Sequence, residues 1–227
     1  MYSIVIPAFN EEEALSELVD RTLASNPDAE IILVDDGSVD GTWAIMSALA
    51  DDSRVRAFRH QTNKGKTQAL KTGYLNANTE TLVTIDADMS YPPECIPRLV
   101  ATFDQGYDMV IGSRLLNGIP KETSLVRSFA NIIGALIASV VLNRRITDLT
   151  TGLRVFNTRV GSLEMKARNL DYEAELTSRV IANKMRYAEV AIAIEPRIGK
   201  SKLKLFQNCY LFMKAVFVGK YSQKVDS

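Results

Sequence analysis

The chain has 227 residues, 46% of them apolar and 24% charged, and its 27 basic residues balance its 27 acidic ones. That is the composition of a globular protein; it excludes a disordered, collagen-like or disulfide-built chain, and zero net charge gives no global reason to bind nucleic acid. Two cysteines without CxxC spacing fit a reducing compartment, and a single histidine, His60, argues against a His-based triad, a HExxH zinc site or a multi-histidine metal site, leaving catalysis to carboxylates, Arg, Lys, hydroxyls or a carboxylate-bound metal.

Residues 2–8 read as a buried strand, with Ile4, Val5 and Ile6 in its run and Pro7 stopping the ladder. Residues 11–25 carry helical spacing, with Asn10 as the expected N-cap and three glutamates favouring the positive end of the helix dipole. Alternation continues with a strand at 30–34, a helix at 40–51, a weaker strand at 54–59 and a helix at 64–78. A strand at 81–85, a helix at 93–103 and a strand at 108–112 follow. This order predicts an α/β fold with a mostly parallel sheet covered on both faces. The second half is less regular: a loop at 116–123, an apolar helix at 124–142, a short strand at 153–156 and helices at 158–167 and 173–184. A strand at 187–195 and a C-terminal helix at 203–219 complete it. No linker or repeat divides the chain. The N-terminus lacks the basic region of a signal peptide, and the longest uncharged stretch, residues 128–143, is shorter than the roughly 20 residues a bilayer span needs.

Ligands in open α/β sheets bind beyond the carboxyl ends of the strands, and polar residues crowd at those ends here. Strand one ends in Pro7-Ala8-Phe9-Asn10-Glu11, strand two in Asp35-Asp36-Gly37-Ser38, strand four in Asp86-Ala87-Asp88 and strand five in Gly112-Ser113-Arg114. Two carboxylates leaving an apolar strand two residues apart suit one hard divalent ion, Mg²⁺ or Mn²⁺, and the bland alternative is a helix cap with a solvated neighbour. Gly37 permits a sharp turn, and one of the adjacent acids is placed to accept from a base or ribose or simply to cap a helix. Asn63-Lys64-Gly65-Lys66 opens a helix whose amides and lysines attract phosphate, or are merely capped.

Together with Pro92-Pro93-Glu94, this set resembles family 2 glycosyltransferases of the GT-A fold in order and spacing. Arg127, the run from Asp148 to Phe156 and Arg197-Ile198-Gly199-Lys200-Ser201-Lys202 are similar to the dolichyl-phosphate mannose synthase branch. The resemblance implies a single GT-A domain with a Rossmann-like sheet: residues 1–115 bind a nucleotide sugar, 116–202 bind the acceptor and 203–227 form an amphipathic helix and tail. It implies that Pro7, Ala8, Asn10, Glu11, Asp36, Lys66 and Asp86 line the nucleotide-sugar pocket. Asp86 and Asp88 approach the diphosphate and the metal, with Ser90 standing where the branch often has a metal-binding Gln. Asp88, Arg114, Arg127 and Arg197 are the implied catalytic set, the three arginines with Lys202 holding the acceptor phosphate. The implied reaction is inverting transfer of a sugar, mannose by resemblance, from a nucleotide sugar to a dolichyl or polyprenyl phosphate. Such an acceptor is already an anion and needs no strong base, and Arg suits it because its planar fork pairs with phosphate oxygens.

Other readings stay open: a family 2 enzyme using UDP-glucose, UDP-N-acetylglucosamine or a saccharide acceptor, for which Asp148 is the candidate base; a nucleotidyltransferase, which lacks its Gly-rich loop here; and a non-catalytic nucleotide-binding module. Residues 196–225 hold seven basic residues and no acid, interleaved with large apolar side chains. This pattern predicts a helix on a membrane surface, or one docking its apolar face on the domain, and a protein peripheral on the cytoplasmic face of a membrane.

Overall fold

The β-branched run near the N-terminus forms the centre of a seven-stranded sheet in a computed structural model that describes residues 1–119, 125–169, 171–198 and 205–221, with the side chains of 125–127 and 205–209 outside the description. The strands are β1 (Tyr2–Ala8), β2 (Ala29–Asp35), β3 (Val55–Arg59), β4 (Thr81–Thr84), β5 (Met109–Ser113), β6 (Arg154–Asn157) and β7 (Tyr187–Ala191), in the order β3-β2-β1-β4-β6-β5-β7. All pairings are parallel except those of β6, which inserts antiparallel between β4 and β5. The predicted mostly parallel α/β sheet is the one observed. Pro7 stops the ladder on one side only: β4 pairs with β1 at Ser3, Ile4 and Val5, whereas β2 follows β1 to Ala8.

Helices α1 (Leu15–Ser25), α2 (Thr42–Leu49), α3 (Lys66–Leu75) and α4 (Ile96–Phe103) connect the first five strands. Helices α5 (Leu125–Leu142), α6 (Thr158–Gly161), α7 (Tyr172–Ala182) and α8 (Leu205–Tyr221) belong to the second half. Two apolar layers sandwich the sheet, one around Ile4, Ile6, Leu18, Leu33 and Ile96, the other around Val5, Ile32, Leu70, Phe156 and Leu176.

Two local expectations are corrected, and a choice left open for the C-terminal helix is narrowed. The first helix begins at Leu15 rather than at residue 11, and its N-cap is Ala14. Asn10 adopts φ 53° and spends its side chain accepting from the Val39 amide (3.0 Å), so it is not a cap. The helix expected over 158–167 ends at Gly161, because the amides of Lys166 and Ala167 turn inward to the buried carboxylate of Glu175. The C-terminal helix packs on the domain: Phe212, Ala215 and Val216 join Ala138, Ile146, Leu149 and Ala174 in a third apolar cluster. Lys220 donates to the Val141 carbonyl of α5 (2.6 Å), which makes it a tie between two helices.

Candidate active site

The loops after β1 and β2 are stitched together by the residues that the sequence marks as a motif. The Asn10 amide donates to Ser38 Oγ (2.9 Å), the Glu11 amide to Thr42 Oγ1 (2.9 Å) and the Gly41 amide to Glu12 Oε2 (2.6 Å). Gly37 sits at φ 77°, and a Cβ there would lie 2.6 Å from the Thr62 carbonyl carbon, so this turn requires glycine. Asp36 is buried, and both its oxygens are engaged: Oδ1 with His60 Nδ1 (2.7 Å) and the Lys64 amide (2.9 Å), Oδ2 with the Gly65 amide (2.8 Å). His60 is locked by its second nitrogen on Thr72 Oγ1 (2.9 Å). Asp36 and His60 thus fix the loop that launches α3 and delivers Lys66. Pro7 and Ala8 end β1, and the Ala8 carbonyl accepts from the Asp36 amide (2.9 Å).

Asp86 and Asp88 follow β4. Met89 takes φ 62°, an unusual conformation for a side chain of its bulk, and this turn lets the Ser90 amide donate to Asp88 Oδ1 (3.0 Å). Each aspartate faces a cation from elsewhere in the chain. Lys66 Nζ lies 2.6 Å from Asp86 Oδ1 and also donates to Glu173 of α7, whose side chain is 4% exposed. Arg197 places one terminal nitrogen 3.0 Å from Asp88 Oδ2 and the other 3.3 Å from Glu11 Oε1. Its Nε is buried with no hydrogen-bond partner among the described residues. Burial opposes the charge on Lys66, yet Asp86 and Glu173 hold its pKa far above the usual lysine range. Burial pushes the Glu173 carboxyl up, against the pull of Lys66.

The segment from Asp148 to Leu153 walls the site. Arg114, at the end of β5, makes a two-pronged pair with Asp148 (2.6 and 2.7 Å) and also donates to Thr150 Oγ1 (2.8 Å). Asp148 has no exposed side-chain surface; burial disfavours its charge, but the Arg114 guanidinium outweighs this and keeps the carboxyl below the usual carboxylate range. Gly152 presses on Asp86: a Cβ there would stand 2.4 Å from Oδ2. The Gly152 amide donates to the Tyr91 hydroxyl (3.0 Å), whose pKa burial pushes up to about 12. Arg154, fully buried, holds the wall from behind through the carbonyls of Thr151 and Leu149 and through Thr177 Oγ1.

The structure therefore gathers Glu11, Lys66, Asp86, Asp88, Arg114 and Arg197 around the tips of β1, β4 and β5. Arg127 lies in the first turn of α5 with its side chain outside the described residues, and Lys202 lies outside them entirely. Sequence reasoning missed Glu173, Tyr91 and Thr150 as site residues. Glu173 carries a faint signal, an acid in the first turn of α7 that is followed by a second acid, Glu175, turned to a different partner.

Among the described residues no three His, Cys, Asp or Glu side chains form a ready metal cluster. The donor set nevertheless fits a hard divalent ion: two carboxylates whose charge is met by two internal cations, with phosphate oxygens and water able to complete the shell.

The family model for glycosyl transferase family 2 matches residues 3–161. The undecaprenyl-phosphate 4-deoxy-4-formamido-L-arabinose transferases of Photorhabdus laumondii and Proteus mirabilis are 35% and 34% identical, each over 94% of this chain. The chain spans 64% of the length of these relatives. Glucosyl-3-phosphoglycerate synthase of Mycobacterium tuberculosis, solved with Mn²⁺, UDP-glucose and phosphoglyceric acid, shares the fold at a TM-score of 0.76 and 20% identity, over 100% of this chain and 81% of that one. A second structure of that enzyme, with Mg²⁺ and UDP, gives 0.73 at 21% identity, again over 100% of this chain and 81% of that one. With acidic strand tips at the mouth of one sheet, a family model that covers residues 3–161 and relatives at about one-third identity over nearly the whole chain, the chain belongs to glycosyl transferase family 2.

Proposed function

We propose that this chain transfers a sugar from a nucleotide sugar to a polyprenyl phosphate with inversion, assisted by Mg²⁺ or Mn²⁺. The observation that carries the reading is the convergence of Asp86 and Asp88 with Lys66, Arg114 and Arg197 at one mouth of the sheet. Asp86 and Asp88 would hold the ion, which supplies charge neutralisation for the departing nucleotide diphosphate. Lys66 adds a fixed positive charge beside it. Asp36 contributes by shaping the loop that carries Lys66. Arg197, whose Nε has no partner among the described residues, is suited to receive a phosphate oxygen, and Arg127 and Lys202 are assigned to the same acceptor by resemblance. The acceptor oxygen forms the new bond to the anomeric carbon as the bond to the nucleotide diphosphate breaks. A phosphate monoester is already anionic near neutral pH, so no proton acceptor is required, in keeping with an Asp148 locked to Arg114.

Relatives aligned over nearly the whole chain are named for formamido-arabinose and undecaprenyl phosphate, which supports the polyprenyl phosphate acceptor and favours a donor sugar other than mannose. Incubation with a short polyprenyl phosphate and a panel of UDP- and GDP-sugars tests the reading. A lipid-linked sugar formed only with divalent cation is expected; no product with any donor overturns it.

We place the lipid contact on α5. Its inner face packs through Ala135 and Ala138, while Phe129, Ile133, Leu136, Ile137 and Val140 recur every three or four residues on the opposite face and stand exposed. Tyr210, Phe217 and Tyr221 of α8 are exposed as well, and residues 123–147 contain no acid. Asn131 accepts from Thr150 Oγ1 (3.3 Å), so the same helix touches the acceptor wall. No helix among the described residues is long and apolar enough to cross a membrane; what supports contact with a membrane surface is the exposed apolar face of α5. Replacing Ile133, Leu136 and Val140 with Ser is expected to abolish sedimentation with anionic vesicles; unchanged sedimentation removes α5 from the contact.

A further inference from the structure

Lys66 and Arg197 bring two positive charges to the two aspartates, the same charge as one divalent ion, and they differ in how they are held. Lys66 has a second carboxylate, Glu173, buried beneath it and contributed by α7. Should Asp86 turn to another cation, Glu173 still balances the ammonium. Among the described residues Arg197 has only the longer contact to Glu11 besides Asp88, and its Nε is buried without an acceptor. A buried donor lacking a partner is costly, so this guanidinium gains from any oxyanion that reaches it. Its backbone is firmly placed: the Ile198 amide donates to the Asp88 carbonyl (3.1 Å), the Glu195 amide donates to the Ser90 carbonyl (3.2 Å), and the Glu195 carboxylate pairs with Arg21 (2.7 Å). Only the side chain needs to move.

Resting on the reading of the site given above, we propose that Lys66 and Arg197 stand in for the divalent cation in the unliganded chain. Glu173 is the positioning residue that retains Lys66 beside Asp86 on metal loading. Arg197 is the residue released from Asp88, and its guanidinium is thereby delivered to the acceptor phosphate. Metal and nucleotide sugar then bind before the acceptor, because the arginine that receives the acceptor is withheld until Asp88 has another partner.

Three calorimetric comparisons on the full chain test this. In the first, Mn²⁺ alone is titrated. Arg197→Gln removes a competitor and is expected to tighten Mn²⁺ about fivefold, whereas Glu173→Gln leaves Lys66 paired with Asp86 alone and is expected to weaken Mn²⁺ by about the same factor. Unchanged affinity, or shifts of the opposite sign, overturns the proposal, provided circular dichroism shows both variants folded; Glu173→Asp serves as the second variant, expected to keep near wild-type affinity. In the second, geranyl phosphate is titrated without metal. Asp88→Asn frees Arg197 and is expected to bind the probe about tenfold tighter than wild type, while Asp86→Asn, an equal charge change that leaves Arg197 paired, is expected to stay near wild type. Equal gains in both variants point to bulk electrostatics and overturn the release of Arg197. In the third, wild type is titrated with geranyl phosphate before and after loading with Mn²⁺ and UDP, and a gain of about tenfold on loading is expected. Should the Mn²⁺ affinities shift as stated while no form binds geranyl phosphate, the cation exchange is supported and the polyprenyl-phosphate reading falls.

Discussion

Asp36, at the tip of β2, and Asp86 with Asp88, beyond the tip of β4, are acids on neighbouring loops of one sheet, and their partners differ in kind. Asp36 is satisfied by two backbone amides and a histidine that is itself locked in place. Asp86 and Asp88 have their charge neutralised by the ends of a lysine and an arginine, and the one amide on them among the described residues, that of Ser90 on Asp88, comes from their own turn. A backbone amide leaves its acceptor only if the loop refolds, whereas a long side chain leaves by rotating a few bonds. The first arrangement is scaffold; the second is exchangeable and therefore suited to a site that must take up and release charged ligands.

The sharpest way to break this comparison is through turnover. Asp88→Asn is expected to lower lipid-linked sugar formation about a thousandfold while leaving the urea midpoint nearly unchanged, as befits an exchangeable carboxylate. A large loss of stability instead would make Asp88 scaffold. Asp148 belongs with the scaffold group because its carboxylate also accepts from the Arg114 amide (3.1 Å) and the Thr150 amide (3.2 Å), and Asp148→Asn is expected to cost about 3 kcal/mol of unfolding free energy at pH 7 by leaving the buried Arg114 charge unpaired within the wall. The sign of its pH dependence follows from a folded pKa held below the unfolded one. The stabilisation is complete above the unfolded value near 4 and is lost as pH falls through the lower folded value. The gap between wild type and variant in a denaturant series is therefore expected to close below about pH 4, and a gap independent of pH would refute the pairing.

Asp36→Ala is expected to cost about 2 kcal/mol, since it strands two amides and a histidine nitrogen. Asp86→Ala, which leaves Lys66 with Glu173, is expected to cost less than about 1 kcal/mol. Equal losses in the two unfolding curves would erase the distinction. The smallest effect sought is at Gly152, where Ala forces a methyl against the Asp86 carboxylate. About a tenfold rise in the Mn²⁺ needed for half-maximal activity is expected, with the fold intact. No shift would show that Asp86 has room to spare.

The contrast also marks what local sequence carries. Strands β1 to β5 and their helices are legible because each buries an apolar run with the period of its own element. The acidic tips are legible because carboxylates rarely leave an apolar strand without a task. What the partners of those acids are is not legible: Lys66 precedes Glu173 by more than a hundred residues, and only the packing of α7 brings them together. The reversal of β6 is equally hidden, since Val155 and Phe156 read alike in either direction. The helix signal over 158–167 misled because periodicity cannot register that Glu175 will draw in two amides from outside its own helix. Asn10 looked like a cap because its residue type suits one, but the nearby β2 loop offered its side chain a donor first.

That reversed strand bears on how the chain assembles. β5 has no hydrogen-bonded contact with β4; it reaches the sheet only through β6 on one side and β7 on the other. As the polypeptide emerges from the ribosome, β1 to β4 can pair on their own, but the strand carrying Ser113 and the Arg114 that follows it waits for residues beyond 153. Until then the open edge of β4 and the unpaired β5 are surfaces for aggregation or chaperone capture. The long sequence separation of these contacts points to late closure, so the acceptor wall is expected to gain protection from hydrogen exchange after the nucleotide-facing strands have already done so.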